Sequence, residues 1–198
     1  MAHVVFLRAI NVGKANRCQP ALIAKQLAKF GVVNIGAVGT FVVRENVSES
    51  ILRAALVRSL PFETEIMICP ARDVIRLASK NPFSGQPSGP NITRFVSVSG
   101  KPLRTGIRSD SRQTSTASPA RTLKPQTSQL PPLPLSLPSD DDWLLKIIAI
   151  QNRFVLGLYH RQMKAISYLG KIEKLLGVPV TTRNWNTIEK VVKILDQD

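Results

Sequence analysis

The hydrophobic positions of the first 80 residues recur in turn at the spacing of a strand and at the spacing of a helix. Proline and serine stand where helices would begin, since proline suits the first turn and serine caps it. The pattern predicts, in order, a strand over 3–9, a helix from Pro20, paired strands over 32–35 and 40–43, a helix capped by Ser48, a strand over 65–69 and a helix from Pro70. We expect the apolar positions of the first two helices to face the sheet: Leu22, Ile23, Leu27 and Phe30, then Ile51, Leu52, Ala55 and Leu56.

The order over residues 3–69 is therefore β-α-β-β-α-β, the ferredoxin-like arrangement. The second half predicts a strand over 93–98, a hairpin of 143–150 and 153–159, a helix that ends at Gly177, and a last helix capped by Asn186 with Glu189 completing a capping box. We predict an α+β protein of two related ferredoxin-like units, residues 1–82 and 83–198, each an antiparallel sheet with helices packed on one face.

A segment rich in serine, threonine and proline, at about residues 100–139, interrupts the second unit. Residues 81–139 hold 10 of the 14 prolines, and no period of a strand or helix is sustained from 100 to 139. The segment is interpreted as a long loop. The sequence leaves open whether it is ordered and whether it is a linker, an insertion or a locally misread reading frame.

Composition narrows the classes of function. The 198 residues carry a net charge of +14, divided as +6 over 1–80, +6 over 81–139 and +2 over 140–198. No apolar run approaches the roughly 18 residues that span a bilayer, and the start of the chain lacks the features of a signal peptide. Two cysteines and two histidines give neither a disulfide framework nor a metal set. We expect a cytoplasmic protein with no membrane association, metal or cofactor.

Two polar stretches are not explained by packing or capping. The first spans residues 8–17, where Gly13 and Lys14 lie between a strand and a helix and could hold an anion through backbone N–H groups. A nucleoside-triphosphatase loop needs Ser or Thr after the lysine, and Ala15 stands there instead. The stretch therefore predicts either an ordinary turn or a simple anion site.

The second stretch, residues 181–187, places an arginine, an indole and two amides just before a helix. Arg183 with Trp185 could hold a planar or phosphorylated ligand by stacking and paired hydrogen bonds. In the alternative interpretation, Trp185 anchors the core and the asparagines cap the helix. The candidate ligand-binding residues of both stretches are Arg8, Asn11, Gly13, Lys14, Arg183, Asn184, Trp185 and Asn186.

These same stretches resemble the signatures of a known family. The similarity is carried by residues 7–14 (LRAINVGK), 39–43 (GTFVV), 81–83 (NPF) and 182–188 (TRNWNTI), and it extends over most of residues 3–99 and 143–195. On these motifs the chain is identified as a member of domain-of-unknown-function family 1697. The resemblance implies a soluble protein of two related ferredoxin-like units, and it brings no established activity.

The sequence shows two departures from the family pattern. The family usually has glycine where this chain has Ala9 and Lys14, and commonly Ser-Gly-Asn where this chain reads Val38-Gly39-Thr40. If the family glycines allow a ligand to approach the backbone, the site is altered here.

Three hypotheses for the function follow. The first is a binding module for a phosphorylated or nucleotide-like small ligand, at a site where the two polar stretches meet. The alternative is weak, non-specific nucleic-acid binding driven by positive charge, because only Phe6 and Phe41 could offer stacking on the first sheet. The third is an enzyme that would use Arg8, Lys14 and Arg183 as electrostatic stabilisers, with no catalytic nucleophile identified. The oligomeric state stays open.

Overall fold

The computed structural model describes residues 1–11, 16–103 and 132–197, and these form an α+β protein. The strands are β1 (His3–Leu7), β2 (Val32–Ile35), β3 (Thr40–Val43), β4 (Ile66–Pro70), β5 (Ile92–Ser99), β6 (Leu135–Leu137), β7 (Leu145–Gln151), β8 (Phe154–His160) and β9 (Val180–Asn184). The helices are α1 (Pro20–Gln26), α2 (Glu49–Ser59), α3 (Ala71–Ser79), α4 (Met163–Leu176) and α5 (Trp185–Leu195), with a 3-10 turn over Ala28–Phe30. The predicted fold class is confirmed.

The first sheet has the strand order β2-β3-β1-β4, and all neighbouring strands are antiparallel. The predicted element order β-α-β-β-α-β is thus confirmed. Helices α1 and α2 cover one face, because alternate strand residues such as Val5 and Phe41 point into a core with Ile23 and Leu52. Ser48 caps α2 as predicted, its Oγ accepting a hydrogen bond of 3.3 Å from the Ile51 backbone N–H.

Two apolar side chains expected in this core are exposed instead. Leu22 is 53% and Ile51 is 56% exposed. The buried stripe runs through the residue that follows each of them, Ile23 in α1 and Leu52 in α2. Because successive helical residues differ by about 100°, the preceding position turns toward water.

The second sheet has the order β6-β7-β8-β5-β9, again antiparallel throughout. Without β6, its order β7-β8-β5-β9 repeats that of the first sheet when strands are numbered within each half. Helix α4 covers one face around Phe95, Leu145 and Ile172. The predicted β7–β8 hairpin is confirmed, whereas strand β6 falls inside the segment expected to be a loop. Residues 104–131 of that segment lie outside the described residues.

The two sheets share a core. The face of the first sheet turned away from α1 and α2 packs against the second sheet, joining Val4 and Phe6 to Val96 and Leu156. Helices α3 and α5 complete this layer. The helix-covered face predicted for the first sheet is therefore the α1–α2 face, while its other face is buried between the halves. The unit boundary at residue 82 stays a prediction.

Strand β9 passes into helix α5 without a loop. Asn184 is the N-cap residue and makes no side-chain capping bond, so the predicted capping box of Asn186 and Glu189 is wrong. The helix begins earlier because Trp185 is drawn into the shared core, where its ring meets Phe83 edge to face at 5.0 Å between centroids. Asn186 lies in the first turn and is exposed.

Candidate functional site

Arg183 of β9 lies between the two sheets and is 6% exposed. Its Nε donates to Thr40 Oγ1 (2.8 Å), its Nη1 to Thr181 Oγ1 (2.8 Å) and the Thr182 carbonyl (2.9 Å), and its Nη2 to the carbonyls of Leu7 (2.7 Å) and Val38 (2.7 Å). All five N–H groups are therefore engaged by protein oxygens. The guanidinium joins the ends of β1 and β3 to β9 and has no donor left for a ligand while these bonds hold.

The oxygens that contact Arg183 are all uncharged. Burial lowers the pKa of Arg183 to about 10, so the side chain remains a cation at neutral pH. It therefore places a positive charge, without a carboxylate among its described contacts, between the two sheets.

A cleft of about 390 Å³, named the Arg8 cleft, opens where the end of β1 meets α4 and β9. Its lining residues include Arg8, Glu173 and Arg183. Arg8 Nη2 donates to both carboxylate oxygens of Glu173, at 2.8 and 3.0 Å, and this ion pair links the two halves of the protein. The structure thus brings Arg8 of the first polar stretch and Arg183 of the second to one place.

The loop after β1 is held by Asn11. Its Nδ2 donates to the Ala37 carbonyl at 2.7 Å, and its Oδ1 accepts from the Cys18 N–H at 3.0 Å. These bonds give Asn11 a structural role in the loop. Gly13 and Lys14 lie outside the described residues. Ala9, which replaces a family glycine, has φ of +50°, a conformation that favours glycine.

A second cleft, of about 300 Å³, lies at the N-terminal end of α5 and is named the Arg94 cleft. Its described lining residues are Ser88, Gly89, Ile92, Thr93, Arg94, Arg161, Asn184 and Asn186, with no Asp or Glu among them. Arg161 is oriented by a 3.0 Å bond from its Nε to Thr93 Oγ1. The Arg94 guanidinium lies 5.6 Å from the centre of the Phe83 ring, which steadies it by a cation–π contact.

The positive character of the Arg94 cleft has two sources. One is the pair of guanidinium groups. The other is the start of α5, where backbone N–H groups carry a partial positive charge and no acidic residue stands in the first turn. Guanidinium groups and helix N-termini both favour phosphate and carboxylate groups, so the arrangement is suited to an anion.

Sequence reasoning found Asn184 and Asn186 of this cleft but missed Arg94 and Arg161. Arg94 lies between Ile92 and Val96 on the inward face of β5. A charged residue in this otherwise apolar row is the sequence feature that could have indicated a functional role for Arg94. Arg161 directly follows β8, where a strand-end arginine carries little information. Trp185 is 7% exposed and packs in the core, as the alternative interpretation expected.

Reactive side chains also lie outside the two clefts among the described residues. The described residues contain no group of three or more His, Cys, Asp or Glu that could hold a metal ion. Cys69 is fully buried, and burial raises the pKa of its thiol to about 12. In the part of the chain that the structure describes, no helix is long and apolar enough to cross a membrane.

Comparisons with known proteins bear on the fold and the family. A search of curated proteins found no match. A solved structure, that of the conserved bacterial protein SP0830 from Streptococcus pneumoniae, is similar to 98% of this chain over 98% of its own length, with a TM-score of 0.52 and 16% identity, a likeness of fold alone. The family model described as "Protein of unknown function (DUF1697)" matches residues 1–122. Because that match covers more than half of the chain and agrees with the motifs quoted above, the protein belongs to the DUF1697 family.

Proposed function

We propose that the protein binds a small phosphorylated ligand through its phosphoryl group in the Arg94 cleft. The observation that carries the proposal is the meeting of Arg94 and Arg161 at the start of α5 in a cleft whose described lining holds no carboxylate. Two cationic side chains without a neighbouring anion attract a dianion such as phosphate.

Hydrogen-bond chemistry supports the same ligand class. A phosphoryl group offers three acceptor oxygens, and the cleft offers guanidinium N–H groups, the amides of Asn184 and Asn186, and the Ser88 hydroxyl as donors. The volume of about 300 Å³ is at the lower end of the range for small-molecule sites. We therefore expect a phosphate on a body of about the size of a sugar or a mononucleoside.

The nucleic-acid alternative gains less from the structure. Phe6 and Phe41, the aromatic residues available for stacking on the first sheet, are both fully buried. Without exposed aromatic residues on the first sheet as described, the alternative rests on the net charge of +14. Binding of that kind would be insensitive to sequence and would fall steeply with salt.

Calorimetric titration with ribose 5-phosphate and adenosine monophosphate tests the proposal, with ribose and adenosine as uncharged partners. We expect binding of a phosphorylated compound and none of its unphosphorylated form. Arg161→Gln should weaken it about tenfold or more, since a hydrogen bond to a charged group contributes about 1.5–3 kcal/mol. The exposed Arg58 of α2 supplies the control, because Arg58→Gln removes the same charge away from the cleft.

The contrary results are specific. Equal losses in the Arg161 and Arg58 variants would show that general charge, and not this cleft, binds the ligand. Binding of a short RNA alone, abolished between 50 and 200 mM salt, would favour the nucleic-acid alternative. No binding of any phosphorylated compound by the folded protein would contradict the proposal.

A further inference from the structure

The Arg8 cleft has a charge imbalance that the proposed function does not use. Arg8 and the buried Arg183 supply two positive charges, and Glu173 supplies one negative charge. The described partners of Arg183 do not neutralise its positive charge, because its five N–H groups donate to uncharged oxygens. The cleft therefore carries net positive charge even with Glu173 in place, and more when Glu173 moves out.

The Arg8–Glu173 ion pair is easily exchanged. The two side chains are 37% and 35% exposed, and ion pairs of this exposure contribute little to stability. Arg8 uses Nη2 for both Glu173 oxygens, and no other described residue accepts from its Nε or Nη1. Among the described residues, Nε and Nη1 of Arg8 would thus be open to a competing anion, which would displace Glu173 at little cost.

The walls of this cleft are largely apolar. Ile10, Val38, Leu169 and Val180 line it beside the charged residues. Gly170 of α4 leaves open space on one side, since no atom lies within 4 Å of the position that its Cβ would take. An apolar body of the size of an aromatic ring fits a volume of about 390 Å³.

We infer that the Arg8 cleft is a second binding site, for a small organic carboxylate with an apolar body, and that Glu173 occupies the anion position as an internal competitor. The Glu173 carboxylate, held by Arg8 across the cleft mouth, shows which head group this position accepts. Arg183 attracts the ligand through its charge and donates no bond to it. The apolar walls take the body of the ligand.

The test uses benzoate and its uncharged isostere benzamide, followed by titration calorimetry on the full chain. Benzoate should bind at least tenfold more tightly than benzamide. Glu173→Gln removes the competing carboxylate, so benzoate should bind up to about fivefold more tightly. A factor of that size corresponds to the free energy of an exposed ion pair. Inorganic phosphate should bind this cleft more weakly than benzoate does.

A second pair of variants locates the site. Gly170→Phe fills the cleft from α4 and should weaken benzoate binding about tenfold or more, while Gly170→Ala should leave it unchanged. Arg161→Gln, in the other cleft, should have no effect. The inference is overturned if Glu173→Gln leaves benzoate binding equal or weaker, if benzamide binds as tightly as benzoate, if phosphate displaces benzoate, or if Gly170→Phe binds benzoate normally.

Discussion

Replacement of Arg183 by lysine separates the reach of the side chain from its charge. Lysine keeps the positive charge but offers three N–H groups in place of five. At least two of the oxygens now bonded to Arg183 would lose that donor, because a single ammonium cannot span the Val38 carbonyl in the turn between β2 and β3 and the Thr182 carbonyl on β9. The variant therefore tests whether the guanidinium connects the sheets.

The expected loss of stability follows from the number of hydrogen bonds that the variant cannot make. A buried acceptor left without its charged donor costs about 1–3 kcal/mol, so the loss of two such bonds destabilises the fold by about 2–4 kcal/mol. The ammonium is also more strongly hydrated than the guanidinium, which adds to the cost of burial. Since domains are stable by about 5–15 kcal/mol, this is a large fraction of the total.

Equilibrium unfolding in urea at pH 7, followed by tryptophan fluorescence, measures the change. The Arg183→Lys variant should show a lower midpoint with an unchanged slope. Arg58→Lys, at an exposed position of α2, is the matched control and should stay within about 0.5 kcal/mol of the wild type. If both variants unfold at the wild-type midpoint, the bonds of Arg183 do not hold the sheets together.

Three further substitutions test local features. Burial and the N-terminal ammonium lower the pKa of His3, so near pH 6 the unfolded chain binds more protons than the folded protein does. The free energy of unfolding should therefore fall as the pH drops through 6.5, and it should fall less in His3→Asn. Urea midpoints of both proteins at pH 7.5 and 5.5 measure the difference. Ala9→Gly should stabilise the fold by about 0.5–1 kcal/mol, because glycine adopts the φ of +50° at this position without strain. Ala54→Gly, at an exposed position of α2, should instead destabilise the fold by about 1 kcal/mol. A loss of stability in both variants would contradict the strain at Ala9. Gly157→Ala should destabilise the fold by about 3 kcal/mol, because the added Cβ would lie 2.6 Å from the Phe95 ring and would also clash with the Lys146 carbonyl. Gly170→Ala is the control, since its added Cβ would meet open space, and thermal melting should show no such loss of stability for it.

Local patterns predicted the elements well. The stripe of Leu52, Ala55 and Leu56 and the Ser48 cap both depend on neighbours within two turns, so α2 could be placed from the sequence. Strand β6 could not, since three residues beside prolines are too few for a period, and it is held by pairing with β7. The predicted start of α5 is wrong, because the packing of Trp185 in the shared core outweighs the capping pattern that follows it.

The candidate site was predicted in part because it depends on contacts distant in sequence. The run around Arg183 was identified from its composition, but which side chain reaches which cleft is decided by the alternation of β9 and by the first sheet packed against it. The Arg94 cleft combines residues from the start of β5, the end of β8 and the start of α5. No pattern within any one of these segments indicates the other two.

The shared core has a consequence for the order in which the protein can fold during synthesis. The inner face of the first sheet is covered by β5, β8 and α5, and residues of α5 are made more than 100 residues after β4. We expect the nascent first half to leave the ribosome with Phe6 and Met67 unprotected and to need the last strand and helix before it becomes native. A ribosome paused before Val180 should therefore carry a chain that is sensitive to protease in both halves.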